Sequence, residues 1–399
     1  MTDALEPATA ALLTEAADRW GTPIYVLDLD RALENAAAWR RALPDGALVA
    51  YAVKANSDPA LLRRLATEGF GFEVVGPIEL ALALRSGVAA GRVVVNGVGQ
   101  TDADLAAALA TGALVNAETL GGLDALLAAD VNGHGRIGRI GLRINPAVDA
   151  RTHPHLATGA AASKFGIALD EVPDALDRVR RAGRRLASVG AHIGSAIVDP
   201  ASFAALADRL QAVADEAGVD TIDLGGGFDG APETWAAAVR PRLRGDRRLI
   251  VEPGRKVVAD AGWLVTRVVR VQDRGHLVAD AGMTELIRPM LYGARHPVTL
   301  LRTGAATAPR RWTLAGPVCE AGDLLATDLD LGTAAGEGAL LAVERVGAYG
   351  AAMASTYNGR PRAAEAVIEG GRVRLSRRRE TLEDLLARDV GPVSPADPG

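Results

Sequence analysis

Between about residues 47 and 255, short β-branched runs alternate with Ala/Leu-rich stretches. This alternation constrains the fold more than any other feature of the chain. The candidate strands are 47–53, 72–75, 93–96, 113–116, 139–145, 188–192, 221–224 and 249–251. The segments between them have helix ends. Asp58-Pro59 supplies an N-cap and a first-turn proline, and Gly69 closes that helix. Gly76-Pro77 opens the next, and Gly87 closes it. Eight strand–helix units over roughly 200 residues predict an α/β fold, a (β/α)8 TIM-like barrel at the short end of its size range. A doubly wound open sheet would need fewer strands and usually a glycine-rich turn after the first. Here the first strand runs into Lys54-Ala55-Asn56.

After Trp263 no helix alternates with the strands. The segments 264–271, 276–280, 312–315, 340–346, 364–368 and 372–375 read as strands, the last two joined by the Gly370-Gly371 turn. This predicts a C-terminal antiparallel β domain, to which residues 22–27 could add a strand. Thr381 and Asp384 have the spacing of a helix-starting capping box. The expected organisation is a barrel over 30–262, a β domain from 1–29 and 263–390, and a disordered Pro/Gly/Ser-rich tail over 391–399. Hydrophobic residues at 49% and charged residues at 23% suit a chain with a sizeable core. A net charge of −5 argues against a nucleic-acid surface. The single cysteine rules out an internal disulfide and a zinc ribbon, and no metal site is expected. With neither a secretory signal pattern nor an 18-residue apolar run, the expectation is a soluble, cytoplasmic protein without a membrane partner.

Of 44 basic residues only three are lysines, Lys54, Lys164 and Lys256. In a chain that uses arginine wherever either will serve, a lysine is a candidate for chemistry arginine cannot perform: losing its proton and attacking a carbonyl. Lys54 ends the first barrel strand, at the face where such barrels carry their active sites. Beside an apolar wall it would be a desolvated nucleophile for a Schiff base; the alternative is a lysine snorkelling to the surface. Gly225-Gly226-Gly227 follows the seventh strand and Glu252-Pro253-Gly254-Arg255 the eighth. Loops after strands 7 and 8 often hold phosphate, and glycines let backbone N–H groups close around it, although a glycine run can also be only a tight turn. A phosphorylated aldehyde with a lysine partner points to pyridoxal 5′-phosphate. Its ring nitrogen needs a carboxylate, and Glu252 is placed to supply it, unless it pairs with Arg255. His192 could stack on a ring or serve only as a structural hydrogen-bonder, and Ser195 could help bind the cofactor.

Beyond these residues, an ordered set of motifs resembles the fold-type III pyridoxal-phosphate decarboxylases, and among them the diaminopimelate decarboxylases. They are YAVKAN (51–56), RINPAVDARTHPHLATG (143–159), KFGI (164–167), HIGS (192–195), DLGGGF (223–228), EPGR (252–255), IRPMLYGARH (287–296), GPVCEAGD (316–323) and GAYGAAMASTYN (347–358). The resemblance implies the two-domain architecture of alanine racemases. It implies that Lys54 carries the cofactor covalently and His192 stacks on it. Ser195, Gly227 and the Glu252, Gly254 and Arg255 loop would hold phosphate and ring, with Tyr357 also meeting the cofactor. Arg255, Arg288, Tyr292, Glu320 and Tyr357 would bind substrate, and Cys319 would donate the proton. It further implies a homodimer with active sites shared across the interface. The implied reaction is α-decarboxylation of an amino acid, meso-diaminopimelate to L-lysine in first place. The alternatives are a relative acting on another diamino acid, a siderophore precursor or a carrier-bound amino acid; a racemase; and a non-catalytic cofactor-binding barrel. The Cys319-Glu320 pair argues against the racemase, and the roughly 130 residues after the barrel argue against the last. Three positions depart from the family pattern: Ala321 for the usual serine, Gln100 for lysine, and Glu73 for aspartate.

Overall fold

Eight parallel strands close on themselves: Leu48–Ala52, Gly71–Val74, Val93–Val95, Leu114–Ala117, Arg139–Asn145, Ser188–Gly190, Thr221–Asp223 and Arg248–Val251. They pair in that order, and the eighth returns to the first with Ile250 opposite Leu48. The computed structural model describes residues 5–131, 139–148, 159, 163–244, 247–308 and 310–391. The tail expected from 391 lies outside the described residues beyond Gly391, as do residues 149–158 of the 143–159 motif. The chain divides into two compact units, Leu29–Ala259 and Met1–Asp28 with Asp260–Gly399.

In the barrel unit the strands are short, apolar and buried on both faces, as parallel strands covered by helices must be. Ala50, Val94, Leu114 and Ile250 form an interior layer of the barrel. Outside, Trp39, Phe203 and Trp235, from helices Leu29–Ala42, Ala201–Ala217 and Pro232–Val239, pack edge to face, with Trp39 and Trp235 rings 5.6 Å apart. Cutting such a buried ring back to alanine costs about 3–5 kcal/mol. The helix ends follow the local sequence. The Asp58 side chain accepts from the Ala60 and Leu61 N–H groups at the start of Pro59–Thr67. Gly69, at φ +76°, turns the chain so that the Phe70 N–H reaches the Leu65 carbonyl.

The other unit is built on a nine-stranded sheet. Gly262–Gln272 pairs antiparallel with Ile24–Asp28, His276–Ala279 and Leu340–Val343. The expectation of an antiparallel domain holds for most pairs, but Ile24–Asp28 runs parallel to Ala364–Glu369, and His276–Ala279 parallel to Trp312–Ala315. The N-terminal strand enters between two strands that run in opposite directions, so it must be parallel to one of them. Residues alternate across the sheet. Ile24 and Val26 pack on one side with Leu13, Ala16 and Ala17 of helix Pro7–Trp20, while Tyr25 faces the other core with Leu264, Leu277 and Leu341. Gly370 and Gly371, at φ +56° and +71°, make the tight turn between Ala364–Glu369 and Arg372–Arg377. The Thr381/Asp384 box caps the helix Leu382–Leu386. Among the described residues, no helix is long and apolar enough to cross a membrane.

Candidate active site

Polar side chains follow the barrel strands at their C-terminal ends and lock together there. Lys54 lies on the single turn Val53–Ala55 after the first strand. Its Nζ is 2.6 Å from Glu73 Oε2, and the Glu73 side chain is 1% exposed. Beside Lys54 there is a carboxylate as well as the apolar wall of Val75, Pro77 and Phe165: Glu73 stands opposite Ala52 in the neighbouring strand and is buried where Lys54 emerges. Asn96, after the third strand, donates to Glu73 Oε1 at 3.3 Å and to Glu252 Oε1 at 2.8 Å. Asn116 donates to Asn96 Oδ1 at 2.9 Å. Glu118 accepts from Arg143 Nη1 at 2.9 Å and from the Gly97 N–H at 2.6 Å, and the Arg143 guanidinium lies over the Phe165 ring. Above these groups, Lys54, Arg143, Phe165, His192 and the 97–100 loop line a cavity of about 460 Å³. Gln100 donates to the Asn96 carbonyl at 2.7 Å, tying that loop to the strand end.

Burial sets the protonation states. It pushes the Glu252 carboxyl well above the usual range, and the charges of Asp223 and Glu73 add to the shift. It pushes Asp223 up to about 6. Burial, then the charges of Lys54 and Arg143, holds His192 well below its ordinary value, so its imidazole is neutral at pH 7. His192 Nδ1 accepts the Gly226 N–H at 3.1 Å, which puts the ring proton on Nε2.

The glycine run is sterically required. A Cβ at Gly225, Gly226 or Gly227 would overlap the Ala191, Glu252 or Gly194 carbonyl oxygen respectively, and Gly225 and Gly227 sit at φ +63° and +98°. Two of the three N–H groups are already used within the protein. Gly225 N–H donates to Asp223 Oδ1 at 2.8 Å and Gly226 N–H to His192, so Gly227 is the member of the run engaged by neither. Arg255 donates to Ser195 Oγ at 3.0 Å rather than meeting Glu252, which joins the two turns that flank the glycines. Gly254 packs where a Cβ would press on those of Ala52 and Ala55. A cradle of this shape, a lysine, a neutral imidazole and a buried acid fit a group that bears phosphate, aldehyde and ring nitrogen. Among the described residues, no cluster of His, Cys, Asp and Glu could hold a metal.

The remaining candidates lie in the β unit. The Cys319-Glu320-Ala321 segment is exposed. It is pinned by Asp323, which is buried and accepts from the Met283 and Val318 N–H groups at 2.5 and 2.7 Å. Tyr357 OH donates to Glu320 Oε1 at 2.7 Å, which pushes the phenol above its ordinary value. Arg288 and Tyr292 open and close the short helix Arg288–Tyr292, and Arg288 reaches the Ala348 carbonyl at 3.5 Å. Asp223, Glu118 and Arg143 are the site residues to which the sequence assigned no role. An acid one residue removed from a glycine run, and an arginine inside an apolar strand, were the available signals.

Residues 29–259 match the family described as pyridoxal-dependent decarboxylase, pyridoxal binding domain. The chain belongs to the pyridoxal-dependent decarboxylases. Among decarboxylases of this kind it is 42% identical to the diaminopimelate decarboxylase of Deinococcus radiodurans, over 95% of this chain and 98% of that protein. It is 40% identical to the Pseudomonas aeruginosa enzyme of the same name, over 95% of each. The crystal structure of diaminopimelate decarboxylase from Helicobacter pylori complexed with L-lysine superposes with a TM-score of 0.88 at 31% identity, covering 94% of this chain and 98% of that one.

Proposed function

We propose that this decarboxylase removes one carboxyl group of meso-diaminopimelate to leave L-lysine. The observation that carries the reading is near-full-length similarity to diaminopimelate decarboxylases, with a barrel mouth whose groups suit the cofactor. When bound, pyridoxal 5′-phosphate supplies an aldehyde for covalent attachment and a ring that takes up the electron pair left by the departing carboxylate. Lys54 is the point of attachment, with Glu73 orienting its amine. Gly227, Ser195, Gly254 and Arg255 hold the phosphate end. Neutral His192 presents an uncharged ring face, so it does not compete for the electrons. Glu252 keeps a proton at the ring nitrogen. Cys319 hands a proton to Cα in place of the lost carbon dioxide. Arg255, Arg288, Tyr292, Glu320 and Tyr357 bind the two ends of the substrate, with Tyr357 also meeting the cofactor.

Cys319, Glu320 and Tyr357 are exposed, and Met290 and Leu291 nearby on the same unit are 50% and 47% exposed. Catalytic groups in this setting call for a second wall, and the proposal is a homodimer in which Cys319 works at the barrel mouth of the partner subunit. A thiol in that role needs a reducing compartment, which supports a cytoplasmic location. The test is carbon dioxide release from a panel of diamino acids. The proposal expects meso-diaminopimelate to be turned over fastest, with L-lysine as product. Faster release from another diamino acid would move the activity within the family. Exchange of the α-proton without carbon dioxide release would overturn decarboxylation.

A further inference from the structure

Asp223 stands opposite Ile250 in the eighth strand, so its side chain shares a face with Ile250 and, two residues on, with Glu252. Both acids are buried, at 2% and 4% exposure. Asp223 Oδ1 accepts the Gly225 N–H at 2.8 Å. No N–H group reaches its buried Oδ2, and the Asp223 and Glu252 carboxyl groups lie within hydrogen-bonding reach of each other. The cavity that Asp223 and Glu252 line with Asn96, Asn116, Arg143 and His192 measures about 10 Å³, at the lower limit for a water.

The charged neighbours are already matched. Lys54 pairs with Glu73 and Arg143 with Glu118, while His192 is neutral and takes the Gly226 N–H on Nδ1. Two carboxyl groups in one buried site, with no cation of their own, do not both ionise. Asn96 donates to Glu252 Oε1, which leaves Oε2 to carry the retained proton.

We propose that Asp223 is a positioning residue that forms a one-proton carboxyl pair with Glu252, and that this pair loads the ring nitrogen of the cofactor with its proton. The inference rests on the cofactor site proposed above. When the ring arrives, the O–H bond of Glu252 breaks, its proton goes to the nitrogen lone pair, and the bonding electrons stay on the Glu252 oxygen. The negative charge of Asp223, behind Glu252, then holds the proton on that nitrogen. The direction in which burial and mutual charge move both acids agrees with this arrangement.

Asp223→Asn tests it, because the amide oxygen can still accept the Gly225 N–H while the charge is gone. Holoenzyme carrying cofactor labelled with nitrogen-15 in the ring would be titrated by nuclear magnetic resonance, with borohydride labelling of Lys54 as the check on cofactor seating. The ring nitrogen of Asp223→Asn should lose its proton at least about one pH unit below wild type, a tenfold or greater loss of proton affinity. Identical titrations with Lys54 labelled in both proteins would overturn the pair and leave the cofactor site standing. Absence of the label from Lys54 in wild type would overturn both. A second measurement needs no variant. The infrared band of a protonated carboxyl should be present in cofactor-free wild type at pH 7 and vanish on adding pyridoxal 5′-phosphate; absence of the band would overturn the proposal.

Discussion

The barrel mouth and the Cys319 region hold their polar groups in opposite ways. At the barrel mouth Glu73 is 1% exposed and Glu252 4%, and Asn96 bridges them. In the β unit Tyr357 is 47% exposed, and Glu320, which it bonds, is exposed as well. A buried network fixes charge and geometry before anything binds, at the cost of desolvating its members. An exposed group works in water until a partner or substrate covers it. The difference fits a division of labour, with a resident cofactor in the barrel and residues of the β unit that act when a second surface closes over them.

The sharpest way to break that division is at Lys54. Lys54→Ala should reduce carbon dioxide release to the assay background, and Lys54→Arg should do the same, because a guanidinium does not attack a carbonyl. Borohydride reduction and peptide mapping of wild type should put the pyridoxyl mass on Lys54; a label on Lys164 or Lys256 would move the site.

Next in size is Glu252→Gln. A neutral amide cannot exchange a proton with the ring nitrogen, so turnover should fall on the order of 10²–10⁴-fold while Lys54 is still labelled. Wild-type turnover in this variant would assign Glu252 another role.

The buried pair also has a cost that denaturation can read. The folded value for Asp223 is about 6, above the unfolded carboxylate value near 4. Below pH 4 both states hold the proton and nothing is lost. As pH rises from about 4 to 6 the unfolded chain ionises first, so stability falls. The cofactor-free wild type should lose roughly 2 kcal/mol over that window relative to Asp223→Asn. Denaturant titrations at pH 4 and 7 showing the same difference between the two proteins would contradict a buried Asp223.

The smallest effect belongs to the exposed region. Tyr357→Phe removes one hydrogen bond to Glu320 where water can replace it. KM for diaminopimelate should rise by less than about tenfold, because water takes the place of an exposed bond. A larger loss, concentrated in kcat, would mean that the region is buried at the moment of reaction.

The barrel is readable from sequence because its strands are short apolar runs set between helix-forming stretches, and the expected strands agree with the observed ones to within about two residues at either end. The β unit is less readable. Val298–Arg302 is half-buried along its whole length and bulged at Leu300/Arg302, so no alternation marks it. Helix Pro7–Trp20 begins with the proline of Glu6-Pro7, a start signal beside a strand-like 22–27 that draws the eye instead. At the site the residue types show in the sequence and their pairings do not. Glu73, Asn96 and Glu252 meet only because the eighth strand closes on the first. The use of two glycine N–H groups by Asp223 and His192 depends on side chains from two different strands.

Mixing two inactive chains tests the central claim most directly, because it asks whether the barrel of one subunit works with the β unit of another. Lys54→Ala and Cys319→Ala proteins, each poorly active alone, should regain up to about a quarter of the activity per total site once subunits exchange, from the symmetry of a two-fold dimer. No recovery, with exchange demonstrated by a tagged subunit, would contradict the account: Lys54 and Cys319 would act within one chain, or Cys319 would not take part.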